Sequence, residues 1–159
     1  AVIGREAVMQ AAQATFISST FWTERIGPAA ALTALEVMRE EDAPERIHHI
    51  GSEVQERWQH LATSNDMQIT TGGLPALASF TIDGLDPLAV KTWVTAQMLD
   101  QGYLAGVNLY ASIAHTPEIL DPYFTAIEPV FTALGTMDDA TLLIELEDGP
   151  AQSGFRRLT

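Results

Sequence analysis

Residues 67–83 read MQITTGGLPALASFTID, and this stretch decides the fold class. The side chains alternate in two sets from Ala76 to Asp83, and a shorter alternation runs from Met67 to Thr71. Alternation with a period of two residues is typical of a β-strand. Gly72 and Gly73 lie between the two runs and favour a turn. The stretch therefore predicts two antiparallel strands joined as a hairpin.

Helical patterns precede the hairpin. Residues 28–40 are rich in alanine and begin with Pro28, which is favoured in a first helical turn. A second helix is predicted from Asp42, as its cap, to about residue 64, with Pro44 in its first turn. Its apolar side chains recur at three- and four-residue steps as one stripe, namely Ile47, Ile50, Val54, Trp58 and Leu61. The alternative is one long helix with a break near Pro44.

The remaining segments complete the predicted order of elements. A short buried strand is predicted at Val2-Ile3, and short strands at residues 103–105 and 109–112. Helices are predicted at residues 5–13, from Asp86 to Gly102, and from Thr116 to about residue 134, with a bend at Pro129. Helices before and after a pair of antiparallel strands predict an α+β fold, with the antiparallel sheet covered by helices.

Length, charge and composition limit the function. The chain has 159 residues, which suffices for one core, and no apolar run is long enough to cross a bilayer. Its net charge of −13 disfavours nucleic acid and anionic membranes as partners. Cysteine is absent, which excludes disulfides and thiol chemistry, and a cytoplasmic location is the simpler interpretation.

Hydroxyl side chains cluster before the helix that begins at Pro28. Four of them, Ser18, Ser19, Thr20 and Thr23, lie just ahead of it. The start of a helix presents free N–H groups and the positive end of the helix dipole, which together favour an anion such as phosphate. Ordinary capping of the helix by serine or threonine explains the same pattern, and composition alone favours that explanation.

No other motif provides a complete catalytic set. The histidines, His48, His49, His60 and His115, lack the spacing of a helical zinc site, so no metal site is predicted. Lys91 is the only lysine, and an amphipathic helix explains it better than Schiff-base chemistry does. Ser18 and Ser19 have no neighbouring histidine and no nucleophile elbow. No catalytic residue is therefore predicted in the chain.

Several segments together resemble the C-terminal third of a class III aminotransferase, a fold type I enzyme dependent on pyridoxal phosphate (PLP). The group around glutamate-1-semialdehyde aminomutase is the most similar. The order and spacing of the segments carry the resemblance, which covers nearly the whole chain. The matching segments are residues 1–5, 18–24, 27–30, 84–91, 102–105, 110–112, 114–116 and 153–158.

The resemblance implies a PLP-dependent aminotransferase or aminomutase that acts as a homodimer on an amino acid or amine. Residues 1–26 would be the end of the large PLP-binding domain and the crossover that contacts the phosphate. Residues 27–159 would be the interdomain helix and the C-terminal small domain. Thr23, with Thr20 as the second choice, would donate a hydrogen bond to the PLP phosphate in the neighbouring subunit. The Schiff-base lysine would precede Ala1, so this chain alone is expected to be inactive.

The sequence also departs from the aminomutase pattern. Residues 24–27 are Glu-Arg-Ile-Gly where that pattern has a Ser-Gly-Asn run, so the aminomutase reaction is not assigned. One alternative is a non-catalytic α+β ligand-binding or interaction module. Another is a small hydrolase that uses Ser19 and His115. A piece of a dimeric enzyme is further expected to expose apolar surface and to self-associate.

Overall fold

The structure is a computed structural model that describes residues 3–16, 24–152 and 154. The chain divides into two compact units, residues 1–39 and residues 40–159. The boundary predicted after residue 26 concerns the domains of an intact enzyme, and it stays a prediction.

The first unit contains two described helices. Helix α1 spans Glu6–Gln13 and helix α2 spans Ile26–Glu40, and none of their residues is buried. The predicted helix at residues 5–13 is confirmed to within one residue, and α2 begins two residues before Pro28. Of the strand predicted at Val2-Ile3, Val2 lies outside the described residues, and Ile3 lies outside any strand and is 91% exposed.

The second unit begins with helix α3, Ala43–Ser64. The chain between α2 and α3 turns at Asp42, whose φ of 47° lies in the left-handed region. Asp42 occupies the cap position as predicted, but its side chain makes no capping hydrogen bond. The break between the helices thus lies at Asp42, two residues before Pro44. Val54 and Trp58 of the predicted stripe are buried, while Ile47, Ile50 and Leu61 are half-buried.

The sheet of this unit is three-stranded and antiparallel, in the order β1-β2-β3. Strand β1 spans Ile69–Gly72, β2 spans Leu77–Ile82 and β3 spans Asn108–Tyr110. Ile69 pairs with Ile82 across β1 and β2, and Ala78 pairs with Leu109 across β2 and β3. The predicted hairpin is confirmed. At its turn Gly73 has a φ of +81°, and a Cβ there would lie 2.3 Å from the Leu77 carbonyl oxygen.

The strand predicted at residues 103–105 is wrong, because this backbone ends a helix instead. Helix α4 spans Pro87–Asp100. Gly102, with φ +85°, donates its N–H to the Leu99 carbonyl oxygen at 2.9 Å, and Tyr103 donates to Met98 at 2.9 Å. These two bonds form a Schellman motif, which satisfies the last carbonyl groups of the helix.

Two further helices follow the sheet. Helix α5 spans Pro117–Leu134, and it accommodates Pro122 and the predicted Pro129. Helix α6 spans Asp139–Glu145 and was not predicted. The Asp138 side chain caps α6 by accepting a hydrogen bond from the Thr141 N–H at 2.8 Å, and Leu142 of α6 is fully buried. None of the helices in the described ranges is both long and apolar enough to span a bilayer.

The core lies on one face of the sheet. Ala78, Phe80 and Ile82 of β2 are buried there among residues of α3, α4 and α5. The Phe80 ring contacts Trp58 and Phe131, at centroid distances of 4.9 and 5.3 Å. The Trp58 indole N–H donates to the Tyr123 hydroxyl oxygen at 3.0 Å, so this buried donor is satisfied. The α+β fold with an antiparallel sheet covered by helices is confirmed.

Candidate functional site

The start of helix α2 is the anion-site candidate of the sequence, and its donors are already occupied. The Glu24 carboxylate accepts hydrogen bonds from the Ile26 N–H and, at 2.9 Å, from the Gly27 N–H. Pro28 has no N–H, and the Ala29 N–H donates to the Arg25 carbonyl oxygen at 3.0 Å. A helix offers its first few N–H groups to an anion. Here those groups are bonded to an anion that the chain itself supplies.

The predicted phosphate ligands, Thr23 and Thr20, lie outside the described residues, as do Ser18 and Ser19. The described residues at this helix end do not fit a phosphate dianion. The N–H groups of Ile26 and Gly27, which a phosphate would need, already donate to the Glu24 carboxylate. Two negative groups at one helix end repel each other. A phosphate at this place requires the side chain of Glu24 to turn away.

The histidines and Lys91, which the sequence also offered as candidates, lie later in the sequence than the start of α2. His48 and His49 are exposed on α3, and His60 lies 3.4 Å from the Ser64 hydroxyl. Within the part of the chain that the structure describes, no three His, Asp or Glu side chains are grouped to hold a metal ion. Lys91 is exposed on α4 beside a shallow cavity formed partly by Ser79, Thr81 and Asn108.

His115 bonds to a serine other than the one proposed for a hydrolase. Its Nδ1 accepts the Ser112 backbone N–H at 3.0 Å and lies 3.2 Å from the Ser112 hydroxyl. Ser19 is outside the described residues. A backbone N–H only donates, so Nδ1 carries no proton and the neutral ring carries its proton on Nε2. Sequence reasoning missed this pair, although the three-residue spacing of Ser112 and His115 was a usable signal.

His115 lines the tyrosine–histidine cavity, a concavity of about 260 Å³. The cavity is formed by the segment after α4, by β3 and by the beginning of α5. Tyr103 and Tyr123 meet edge to face with ring centroids 6.2 Å apart. Burial raises the pKa of Tyr123 to about 12, although the hydrogen bond from Trp58 lowers it. The full lining is Tyr103, Leu104, Ala105, Asn108, Leu109, Tyr110, His115, Ile119, Leu120 and Tyr123.

A second cavity, of about 420 Å³, contains Arg57 but offers no free positive charge. The Arg57 guanidinium donates to the Asp121 carboxylate at 2.8 Å and to the Glu53 carboxylate at 3.3 Å. It also lies 3.8 Å from the centre of the Phe124 ring. Glu56 and Glu128 line the same cavity. Carboxylates outnumber the one arginine here, so this cavity is not suited to an anionic ligand.

Comparison with known proteins gives one similar fold. No protein-family model matches the chain, and no curated protein sequence matches it. The solved structure of the PLP internal aldimine form of the FumI protein of Sphingopyxis sp. MTA144 matches with a TM-score of 0.75 and 21% identity. The match covers 83% of this chain and 32% of that protein, so this chain spans about a third of its length. At this identity the similarity establishes the fold.

Proposed function

We propose that the chain is the C-terminal part of a PLP-dependent aminotransferase or aminomutase of class III, similar to glutamate-1-semialdehyde aminomutase. The observation that carries the proposal is the shared fold with a PLP-containing protein, at a TM-score of 0.75 over 83% of this chain. The motif order seen in the sequence supports the same assignment independently of the fold. An amino acid or an amine is the proposed substrate.

Within the proposed enzyme this chain supplies structure rather than the reacting groups. Bound PLP would supply an electron sink for the substrate. Residues 27–159 would form the interdomain helix and the small domain. The resemblance, and not the described donors of α2, assigns the phosphate contact to the Thr23 hydroxyl, with Thr20 as the second choice. Glu24 would have to turn away from the Ile26 and Gly27 N–H groups for the phosphate to reach the helix end. The partner is a second copy of the enzyme, and the proposed location is cytoplasmic.

The proposal is tested by comparing this chain with the protein encoded by the longer reading frame. We expect transamination by a protein that contains a lysine shortly before Ala1, and none by residues 1–159. Thr23→Ala in the longer protein is expected to weaken PLP binding, with Thr33→Ala on the exposed face of α2 as a matched control. Turnover by residues 1–159 alone, or a start codon at Ala1, would contradict the proposal.

The second candidate is a non-catalytic α+β module that binds a ligand or a partner. The observation that favours it is the complete core of residues 40–159, which includes Trp58, Phe80 and Phe131. In the described part of the chain, no buried side-chain polar atom lacks a hydrogen-bond partner. A core of this kind is what a unit that folds by itself requires. The same reading-frame experiment distinguishes the module from the enzyme.

A further inference from the structure

We infer that the tyrosine–histidine cavity is a binding site for a small uncharged molecule with an aromatic or branched apolar body and a carbonyl group. The site lies wholly within residues 40–159. It needs neither PLP nor the start of α2, so it does not rest on the proposed function.

The size of the cavity limits the ligand. Drug-sized molecules occupy pockets of about 300–1,000 Å³, and an apolar cavity of about 150 Å³ holds benzene. At about 260 Å³ the tyrosine–histidine cavity has room for one ring and a short substituent. The ligand is therefore smaller than a typical drug.

Large apolar side chains on the rim of the cavity are open to solvent. Leu104 is 98% exposed and Tyr110 is 72% exposed, and half of the Ile119 surface is also accessible. Exposing large apolar side chains to water is unfavourable. A group of them around a concavity is therefore typical of a binding site. The edge-to-face rings of Tyr103 and Tyr123 offer aromatic surface for a flat ligand.

Neutral hydrogen-bonding groups and an absence of formal charge decide the polar part of the ligand. His115 lines the cavity, and because its Nδ1 accepts the Ser112 N–H, the proton of the neutral ring lies on Nε2. Asn108 and the tyrosines supply the other polar groups of the lining. No Asp, Glu, Lys or Arg lines the cavity. A charged group placed against this lining loses part of its hydration without gaining a partner of opposite charge, whereas a carbonyl oxygen can accept a hydrogen bond from Nε2–H. The geometry favours an amide or a ketone over an acid or an amine.

The test uses three matched probes with the full 159-residue chain, namely phenylacetamide, phenylacetate and phenethylamine. Titration is followed by the NMR signals of the His115 and tyrosine rings. We expect phenylacetamide to bind with a Kd in about the millimolar range, as its few atoms allow. The acid and the amine are expected to bind at least about tenfold more weakly. No binding of phenylacetamide, or equal binding of all three probes, would overturn the inference.

Variants locate the probe. Leu104→Ala and Tyr110→Ala are expected to weaken phenylacetamide binding at least about threefold, because each removes exposed apolar lining. Both side chains are exposed, so neither change threatens the core. Leu74→Ala is the matched control, since Leu74 is an exposed leucine outside the cavity. His115→Phe is expected to abolish the preference for the amide. Binding that is unchanged in Leu104→Ala and Tyr110→Ala refutes the assignment of this cavity, whether or not His115→Phe folds.

Discussion

Helices α2 and α3 follow each other in the chain, yet they differ in what they bury. Helix α2 carries Leu32 and Leu35, which are 65% and 62% exposed, and it has no buried residue. Helix α3 buries Val54 and Trp58 completely. The alanine-rich, proline-led sequence predicts α2 and the apolar stripe predicts α3, and both helices form. Local sequence thus predicts a helix, while burial depends on what the rest of the chain packs against it.

The largest expected effect concerns Trp58 of α3. Trp58→Ala removes a fully buried ring that contacts Phe80 and bonds to Tyr123. We expect a loss of about 3–5 kcal/mol in the free energy of unfolding, measured by urea denaturation and circular dichroism. Leu32→Ala in α2 is the matched change, and its expected effect is within about 0.5 kcal/mol. Equal effects of the two substitutions would contradict the conclusion that α3 contributes to the core and α2 does not.

A glycine in each helix provides a second comparison between α2 and α3. A Cβ at Gly51 of α3 would lie 1.7 Å from the Pro75 carbonyl oxygen, whereas a Cβ at Gly27 of α2 would meet only the movable Glu24 carboxylate at 3.2 Å. We expect Gly51→Ala to destabilise by about 1–3 kcal/mol or more, because α3 must separate from the hairpin loop. Gly27→Ala is expected to be neutral or to increase helix content slightly. Thermal unfolding and helix content measure both, and a stable Gly51→Ala protein would disprove the close contact.

Much of the second unit could be predicted from the sequence, because its signals are local. The alternation from Ala76 to Asp83 and the two glycines of the turn specify the hairpin without reference to other segments. Asp86 was recognisable as a helix start, and its side chain accepts from the Leu88 and Ala89 N–H groups at 3.0 and 2.8 Å. Local hydrogen bonding of this kind can be read from residue types alone.

The elements and contacts that the sequence did not predict correctly have physical explanations. Helix α6 has only seven residues, too few for a clear apolar stripe, and Asp138 caps it. The strand predicted at residues 103–105 has apolar residues, but Leu104 is exposed and the backbone closes α4. In the candidate sites, the bond from Ser112 to His115 and the capping by Glu24 depend on side-chain geometry. The tyrosine–histidine cavity combines distant segments, which periodicity alone does not bring together.

Tyr123 is expected to make the folding stability of the second unit decrease at alkaline pH. Its folded pKa is about 12, above the ordinary value of 10, so the folded state keeps the proton that the unfolded state loses between these values. Its contribution is complete below pH 10 and is lost as the pH rises towards 12, by about 2–3 kcal/mol.

Tyr123→Phe is expected to remove this pH dependence. At pH 7 it lowers the free energy of unfolding by about 1–3 kcal/mol, because the Trp58 N–H loses its acceptor. Urea denaturation at pH 7, 9 and 11 is the measurement. Tyr110→Phe, at an exposed tyrosine, serves as the control. An identical alkaline decline in Tyr123→Phe and the unchanged protein would assign the decline to other groups.

Asp138 is expected to have a smaller effect. Hydrogen bonds from the Thr141 hydroxyl and N–H hold the pKa of Asp138 below its ordinary value of 3.8. The stabilisation is present above pH 3.8 and is lost as the pH falls through the lower folded pKa. Asp138→Ala should therefore lower the melting temperature at pH 7, and the difference from the unchanged protein should shrink as the pH falls below 3.8. Asp100→Ala, at the end of α4, is the control, and a difference that does not shrink on acidification would contradict the capping role.

The smallest effect is expected at Glu24, and it tests the first unit directly. Glu24→Ala removes the carboxylate that accepts from the Ile26 and Gly27 N–H groups, so the first turn of α2 loses its cap and the helix content falls slightly. The same change frees both donors for an external anion, so binding of inorganic phosphate should increase. Glu36→Ala, which changes the net charge equally within α2, separates this local effect from general electrostatics. If phosphate binding rises as much in Glu36→Ala, the two N–H groups at the start of α2 are not the site, and the contact with phosphate must come from other groups.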